Sequence, residues 1–396
     1  MVLTSGLGAL FWWAAARLFT PDAVGIAAGS VAAMVFLGSL AMVGTGTLLL
    51  RELPRAPGQE RAMVSTAASV ALVIAAGLGA LYAIAAPLIN PELRAIAESP
   101  AAIALFTLGV MLTVATLLAD YVLLAMLRAT LRFMRSALFA TSKLVLLLPA
   151  ALLLGAASHQ SIYGVWIIGS IASLALVAVF YRHSLLPKIE LGLVPAYARP
   201  ALMHYSLSMA IAFPALAIPV IVALMSSPTE AAQFYVAWML ASVAFYPSVA
   251  LSQSLFALAG RAPHQLWHYA RTTMILSFGA GILATAGAIV LGGAVLGLFG
   301  EAYRADAAAL PVFVAVAIPQ TVKDHYQTIS RLHGGFSRAV LLCGVGGAVE
   351  AVAAVIGFAA AGAIGLAAAW LVAVTAEASL MVPLTLRAAR RALPPA

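Results

Sequence analysis

Apolar runs of membrane-crossing length follow one another from the first residues of this chain to its last. A helix needs ~20 apolar residues to cross ~30 Å of hydrocarbon. Twelve stretches meet or approach that demand: 3–20, 27–50, 63–89, 101–127, 137–157, 164–181, 204–225, 232–258, 273–298, 309–330, 338–360 and 364–386. Only helices or closed barrels satisfy their backbone in lipid, and uninterrupted apolar runs of this length predict helices. The longer ones are expected to tilt or to extend into the interface. Hydrophobic residues make up 64% of the 396 positions and charged residues 9%, which excludes a soluble protein.

The opening 11–51 shows the local rule. An apolar helix carrying Arg17 ends at Thr20-Pro21-Asp22, and a second apolar helix runs to Arg51. Pro21 has no amide hydrogen and disfavours helix at the residue before it. Prolines 214, 219, 247, 311 and 319 are expected to kink or break the seventh, eighth and tenth spans. The first twenty residues lack the basic start of a signal peptide and form the first span.

The net charge of +8 does not point to nucleic acid, because the basic residues sit in short loops between spans. One set of loops holds sixteen: Arg51, Arg55, Arg61, Arg128, Arg132, Arg135, Arg182, Lys188, Arg199, Arg261, Arg271, Arg331, Arg338, Arg387, Arg390 and Arg391. The opposite set holds Arg94 and Arg304. The bias places both termini in the cytoplasm with an even number of spans. A single cysteine, Cys343, excludes internal disulfides and thiolate metal clusters.

The chain repeats itself. Arg128 is followed by Phe133 and Arg135, and Arg331 by Phe336 and Arg338, with an aspartate ahead of each in Asp120 and Asp324. Pro21-Asp22-Ala23-Val24-Gly25 returns as Pro228-Thr229-Glu230-Ala231-Ala232. The two offsets, 203 and 207 residues, agree closely enough to argue for duplication. The expected architecture is all-α and polytopic: twelve transmembrane helices in two six-helix lobes related by a parallel pseudo-two-fold. The lobes are 1–181 and 204–396, joined by a cytoplasmic connector at 182–203.

Trp13-(x)3-Arg17-Leu18-Phe19, then Pro21-(x)3-Gly25 and the close on Leu50-Arg51, resemble the opening of polysaccharide flippases. That family belongs to the multidrug/oligosaccharidyl-lipid/polysaccharide exporter (MOP) superfamily. Gln233-Phe234-Tyr235-Val236-Ala237, Leu251-Ser252-Gln253-Ser254-Leu255-Phe256 and Gly300-Glu301-Ala302-Tyr303 are similar to its second half. One departure is the missing basic segment before the first helix. The resemblance implies a two-lobed carrier whose central cavity alternates between the two sides of a bacterial cytoplasmic (inner) membrane. It would move an undecaprenyl-diphosphate-linked oligosaccharide outward for surface polysaccharide biosynthesis, with membrane lipids and polysaccharide-assembly proteins as partners and no nucleic acid.

Charge inside a span is costly and marks function by default. Asp120 and Lys143 stand at matching depth on consecutive helices and are expected to pair, or Lys143 to face the cavity and meet a phosphate. Gln320, Lys323 and Gln327 fall at i, i+3 and i+7, one polar face that points at a cavity or a partner. Arg17, Lys143, Gln320, Lys323 and Gln327 are therefore the candidate substrate ligands. Glu350 and Glu377 have no cation near them in sequence, so at least one is expected to hold a proton. With Thr375 and Ser379 they could instead bind sodium. They lead the candidates for ion coupling, followed by Asp120 and Asp324. No cofactor is expected beyond such a coupling ion.

His264 and His268 sit beside Trp267 and Tyr269 and mark an interfacial helix rather than a metal site. Gly344, Gly346 and Gly347 lie within a span and serve helix packing, not nucleotide binding. No nucleotide loop or hydrolase motif is present, so the chain is expected not to be an enzyme. Alternatives are a drug or metabolite antiporter of the same fold, a scaffold without transport, and a membrane glycosyltransferase or polymerase. The short outer loops weigh against the last.

The loop charges generate a direct test. With Cys343 replaced, a cysteine at position 190 should resist an impermeant thiol reagent in intact cells, whereas one at position 304 should label. Equal labelling at both would overturn the orientation.

Overall fold

The computed structural model describes residues 2–181, 190, 192–333 and 336–391, and these form an all-helical membrane fold. In order, the helices are α1 (Val2–Leu18), α2 (Pro21–Ala41), α3 (Thr45–Glu52), α4 (Glu60–Ile89), α5 (Pro100–Ala125), α6 (Ala129–Leu154) and α7 (His159–Tyr181). There follow α8 (Leu193–Met225), α9 (Pro228–Ser242), α10 (Tyr246–Arg261), α11 (Leu266–Gly297), α12 (Ala309–Ala315), α13 (Ala317–Leu332) and α14 (Phe336–Ala389). Nine helical runs among the described residues are long and apolar enough to cross a membrane, counting α9–α10 as one and α14 as one. The other expected spans fall on α1, on α12–α13 and on the second arm of α14.

Local chemistry explains the breaks. Thr20 caps α2, its hydroxyl accepting from the Ala23 amide at 3.3 Å, with Pro21 in the first turn. Ser99 does the same for α5 through the Ala102 amide at 3.1 Å, ahead of Pro100. Gly44, at φ 84°, supplies the left-handed turn between α2 and α3. Pro247 lies in the first turn of α10 and Pro319 in the first turn of α13. The helix of α8 runs through Pro214 and Pro219 without the expected break. Residues 182–189 and 191 of the expected connector lie outside the described residues, and from Leu193 the chain is already helical.

At 54 residues α14 would reach ~81 Å as a straight rod, far more than a bilayer core. It turns back at Ala361 and Gly362, where Gly362 takes φ 59°. The arms then run antiparallel in close contact: a side-chain carbon on Gly357 would overlap the Gly365 carbonyl, and one on Gly365 the Gly357 carbonyl. Glycine at both positions lets the two backbones touch.

The chain divides into two compact units, residues 1–212 with 219–232, and residues 213–218 with 233–396. In the first unit α2 is the core helix. Thirteen of its residues are buried, most of them Ala or Gly, with α1, α4, α5 and α7 packed around it. The two related turns meet inside this unit, where Thr229 donates its hydroxyl to Asp22. Asn90 donates to the carbonyls of Ala223 at 3.1 Å and Ser226 at 2.9 Å, satisfying the end of α8. In the second unit the core helix is α13, whose residues 321–329 are all buried although most are polar. It packs against α10, α11 and α14.

A side-chain carbon at Gly25 would collide with the Pro228 carbonyl oxygen, a backbone atom held by its own helix. Gly25→Ala is therefore expected to cost at least the ~1–3 kcal/mol typical of overpacking. A lowered thermal midpoint of the purified protein would register it, and an unchanged midpoint would show that the turn yields.

Candidate functional site

The charged and polar residues singled out in the sequence resolve into two groups, one in each unit. In the first unit Asp120, at the end of α5, takes a two-pronged contact from Arg135 on α6, with Nε–Oδ1 at 2.9 Å and Nη2–Oδ2 at 2.7 Å. Arg132 stands 3.6 Å away. Arg135 also donates to the hydroxyls of Ser136 at 3.3 Å and Ser173 at 3.5 Å. The planar guanidinium matches a carboxylate edge to edge, which a lysine cannot do. This corrects the expected Asp120–Lys143 pair. Arg135, counted among the loop cations, lies eight residues before Lys143 on the same helix, about two turns, and takes the aspartate.

Lys143 is buried and has no carboxylate partner among the described residues. Its ammonium lies over three rings, 3.7 Å from the centre of Trp166, 4.6 Å from Phe139 and 4.7 Å from Phe11. Phe139 meets Trp166 edge-on at 5.1 Å, and Phe11 meets it at 6.0 Å. A desolvated ammonium gains about 2 kcal/mol from such a ring face, and the box ties α1, α6 and α7 together. Lys143 is thus enclosed by rings and not open to a substrate phosphate. Arg17, expected as a charge inside the membrane, is exposed in the last turn of α1.

In the second unit Lys323 on α13 lies between the two arms of α14. Its ammonium donates to Glu350 Oε1 and stands 2.6 Å from Glu377 Oε2. Trp370 donates its indole N–H to Glu350 Oε2 at 2.7 Å. All four residues are buried. Trp370 is held by Trp238, 4.9 Å away centre to centre, and by Phe245 at 6.0 Å. Gly346 and Glu377 each lie 15 residues from the turn of α14, and a side-chain carbon at Gly346 would overlap the Glu377 carboxyl. Glycine there leaves room for the acid, a role the sequence did not reveal.

Lys323 therefore spends its charge on two glutamates that sequence distance had left without a cation. The remaining polar face of α13 is satisfied within the unit. Gln320 donates to Asp324 Oδ1 at 2.9 Å, Ser248 donates to Asp324 Oδ2 at 2.6 Å, and Gln327 turns its amide to Cys343 Sγ at 3.8 Å. His325 bridges the Thr321 carbonyl at 2.8 Å and the Thr273 hydroxyl at 3.0 Å, tying α13 to α11. Thr375 and Ser379, the expected helpers for sodium, are exposed and bond to backbone carbonyls of their own helix. Among the described residues no three metal-binding side chains gather. Sequence reasoning missed Arg135, Trp370 and Ser248 as partners. Only Phe139, four residues before Lys143, carried a readable signal.

The Asp120 pair makes an asymmetric prediction. Asp120→Asn strands a buried guanidinium, which should cost roughly 3 kcal/mol. Arg135→Gln should cost less, because Asp120 keeps Arg132 and its side chain is 22% exposed. Unfolding of the two purified variants measures the order, and a milder Asp120→Asn would refute it.

No protein-family model and no curated protein matches the sequence. Solved structures do match in fold. An inward-facing multidrug resistance MATE family transporter of the MOP superfamily aligns over 98% of this chain and 94% of its own, with TM-score 0.72 and 14% identity. The lipid II flippase MurJ, in an inward closed conformation, aligns over 97% and 87%, with TM-score 0.70 and 12% identity. A MOP superfamily transporter from Pyrococcus furiosus aligns over 98% and 92%, with TM-score 0.58 and 14% identity. The chain thus has the fold of MOP superfamily transporters.

Proposed function

We propose that this chain is a secondary transporter that flips an undecaprenyl-diphosphate-linked oligosaccharide across the bacterial cytoplasmic membrane by alternating access. The observation that carries the reading is the state of the charges within the spans. Every carboxyl there is engaged inside its own unit: Asp120 by Arg135, Asp324 by Ser248 and Gln320, and Glu350 and Glu377 by Lys323. Arg17, in the last turn of α1, is a cation with an exposed side chain. A carrier for cationic drugs needs acids open to its cargo, whereas a diphosphate needs a cation. The resemblance of 11–55 and 228–260 to polysaccharide flippases supports the same choice, while the fold itself is shared alike with a lipid II flippase and a multidrug transporter.

Lys143, Lys323, Gln320 and Gln327 serve this function from within, by holding the helices of each unit in register. Arg17 is the proposed phosphate contact. No nucleotide motif occurs in the sequence, so the work of uphill transport would come from an ion gradient, with Glu350 and Glu377 as its sensors. Binding of the ion in one conformation and release in the other would couple the gradient to the conformational equilibrium.

The test uses proteoliposomes carrying an undecaprenyl-diphosphate oligosaccharide, with its appearance in the opposite leaflet followed by lectin binding. A charge-assisted hydrogen bond contributes ~1.5–3 kcal/mol, so Arg17→Ala should weaken apparent affinity roughly ten- to hundredfold. An unaffected, folded Arg17→Ala would remove the phosphate contact. Efflux of a cationic dye in place of glycan movement would replace the reading with drug antiport.

A further inference from the structure

Glu350 and Glu377 touch the same ammonium but are not equivalent. Glu350 is complete as an ionised acceptor, with Lys323 on one oxygen and Trp370 on the other. Glu377, with a side chain 9% exposed, meets the same ammonium at 2.6 Å through Oε2 and has no second donor of the kind that Trp370 gives Glu350. One cation thus faces two buried carboxyls. With both ionised the cluster carries a net negative charge out of contact with water; one proton makes it neutral.

The surrounding groups decide which ion could restore the balance. Sodium is a hard cation and takes oxygen ligands. The Lys323 ammonium already touches both carboxyls, and the Trp370 indole N–H beside them is a donor that cannot ligate a cation, so sodium would have to displace the ammonium. The other ionisable groups around Glu377 are Glu350 and Cys343 on the first arm of α14. Neighbouring α12 has no ionisable residue, and those of α11 are confined to its first turns. The Asp324 carboxyl is engaged by Ser248 and Gln320.

We propose that Glu377 is the proton-binding carboxyl of this chain, and that Lys323 is a tethered cation filling the place a metal ion would take. The site accepts a proton and excludes sodium. This inference rests on the reading that these acids couple transport to an ion gradient, and it names the ion.

The experiment uses the purified full-length protein and needs no substrate. The thermal midpoint of the parent should not change when sodium chloride replaces choline chloride at equal ionic strength. Lys323→Ala opens the cation position and should gain a stabilisation that saturates with sodium. Sodium-specific stabilisation of the parent would overturn the exclusion, as would a folded Lys323→Ala that ignores sodium. Infrared spectra decide the proton independently, and stand even where Lys323→Ala fails to fold. The parent should show the carbonyl stretch of a protonated carboxylic acid, and Glu377→Gln should lose it. Its absence from the parent, or its survival undiminished in Glu377→Gln, would overturn the assignment. Failure of glycan transport in proteoliposomes would remove the functional reading and leave both results standing.

Discussion

An unpaired charge in hydrocarbon costs several kcal/mol, and that single constraint orders the interior of this chain. Lys323 holds α13 between the arms of α14 because two glutamates there need a cation. Arg135 holds α6 to α5 for the same reason. Lys143 follows a variant of the rule, with three ring faces in place of a carboxylate. Hydrophobic burial gives little preference among helix partners in lipid, since the tails are as apolar as leucine. Polar contacts and close backbone approach must supply the preference.

Close approach comes from small residues, and it sets where the charges can lie. The arms of α14 touch at Gly357 and Gly365, which fixes their register. That register brings Gly346 opposite Glu377, each 15 residues from the turn, so the acid fits where any side chain would displace it. The glutamate pair is therefore a consequence of the glycine spacing. A residue added at Gly346 would move the carboxyl away from Lys323 without touching any charged group.

Much of the fold was legible because it depends on one-dimensional patterns. Apolar runs, Thr20-Pro21 and Pro247 predict helices and breaks from local chemistry that the structure repeats. The candidate sites were legible only as a roster. Arg17, Asp120, Lys143, Lys323, Asp324, Glu350 and Glu377 could be picked out because lipid makes any charge conspicuous. Their pairing could not, because it depends on which turn of one helix faces which turn of another. Asp120 had Arg135 and Lys143 in reach on the same helix, eight residues apart, and sequence depth favoured the wrong one. Glu350 and Glu377 seemed isolated because their cation stands 27 and 54 residues away along the chain.

The spacing shared by 120–135 and 324–338 is met by different partners in the two units. Asp120 and Asp324 stand eight and seven residues before Arg128 and Arg331, followed by Arg135 and Arg338. In the first half the aspartate takes its own downstream arginine. In the second, Arg338 is exposed, and Asp324 is satisfied by neutral groups from Ser248 and Gln320. The step from an arginine to neutral partners leaves the second unit with one cation, Lys323, for its buried acids. An ion pair that is complete has no reason to exchange a proton, and the first unit's pair is complete. A cluster with two acids and one cation lacks one positive charge, and on the proposal above that shortage is what binds a proton. One unit is thus closed by its ion pair, and the other holds two buried acids against one cation.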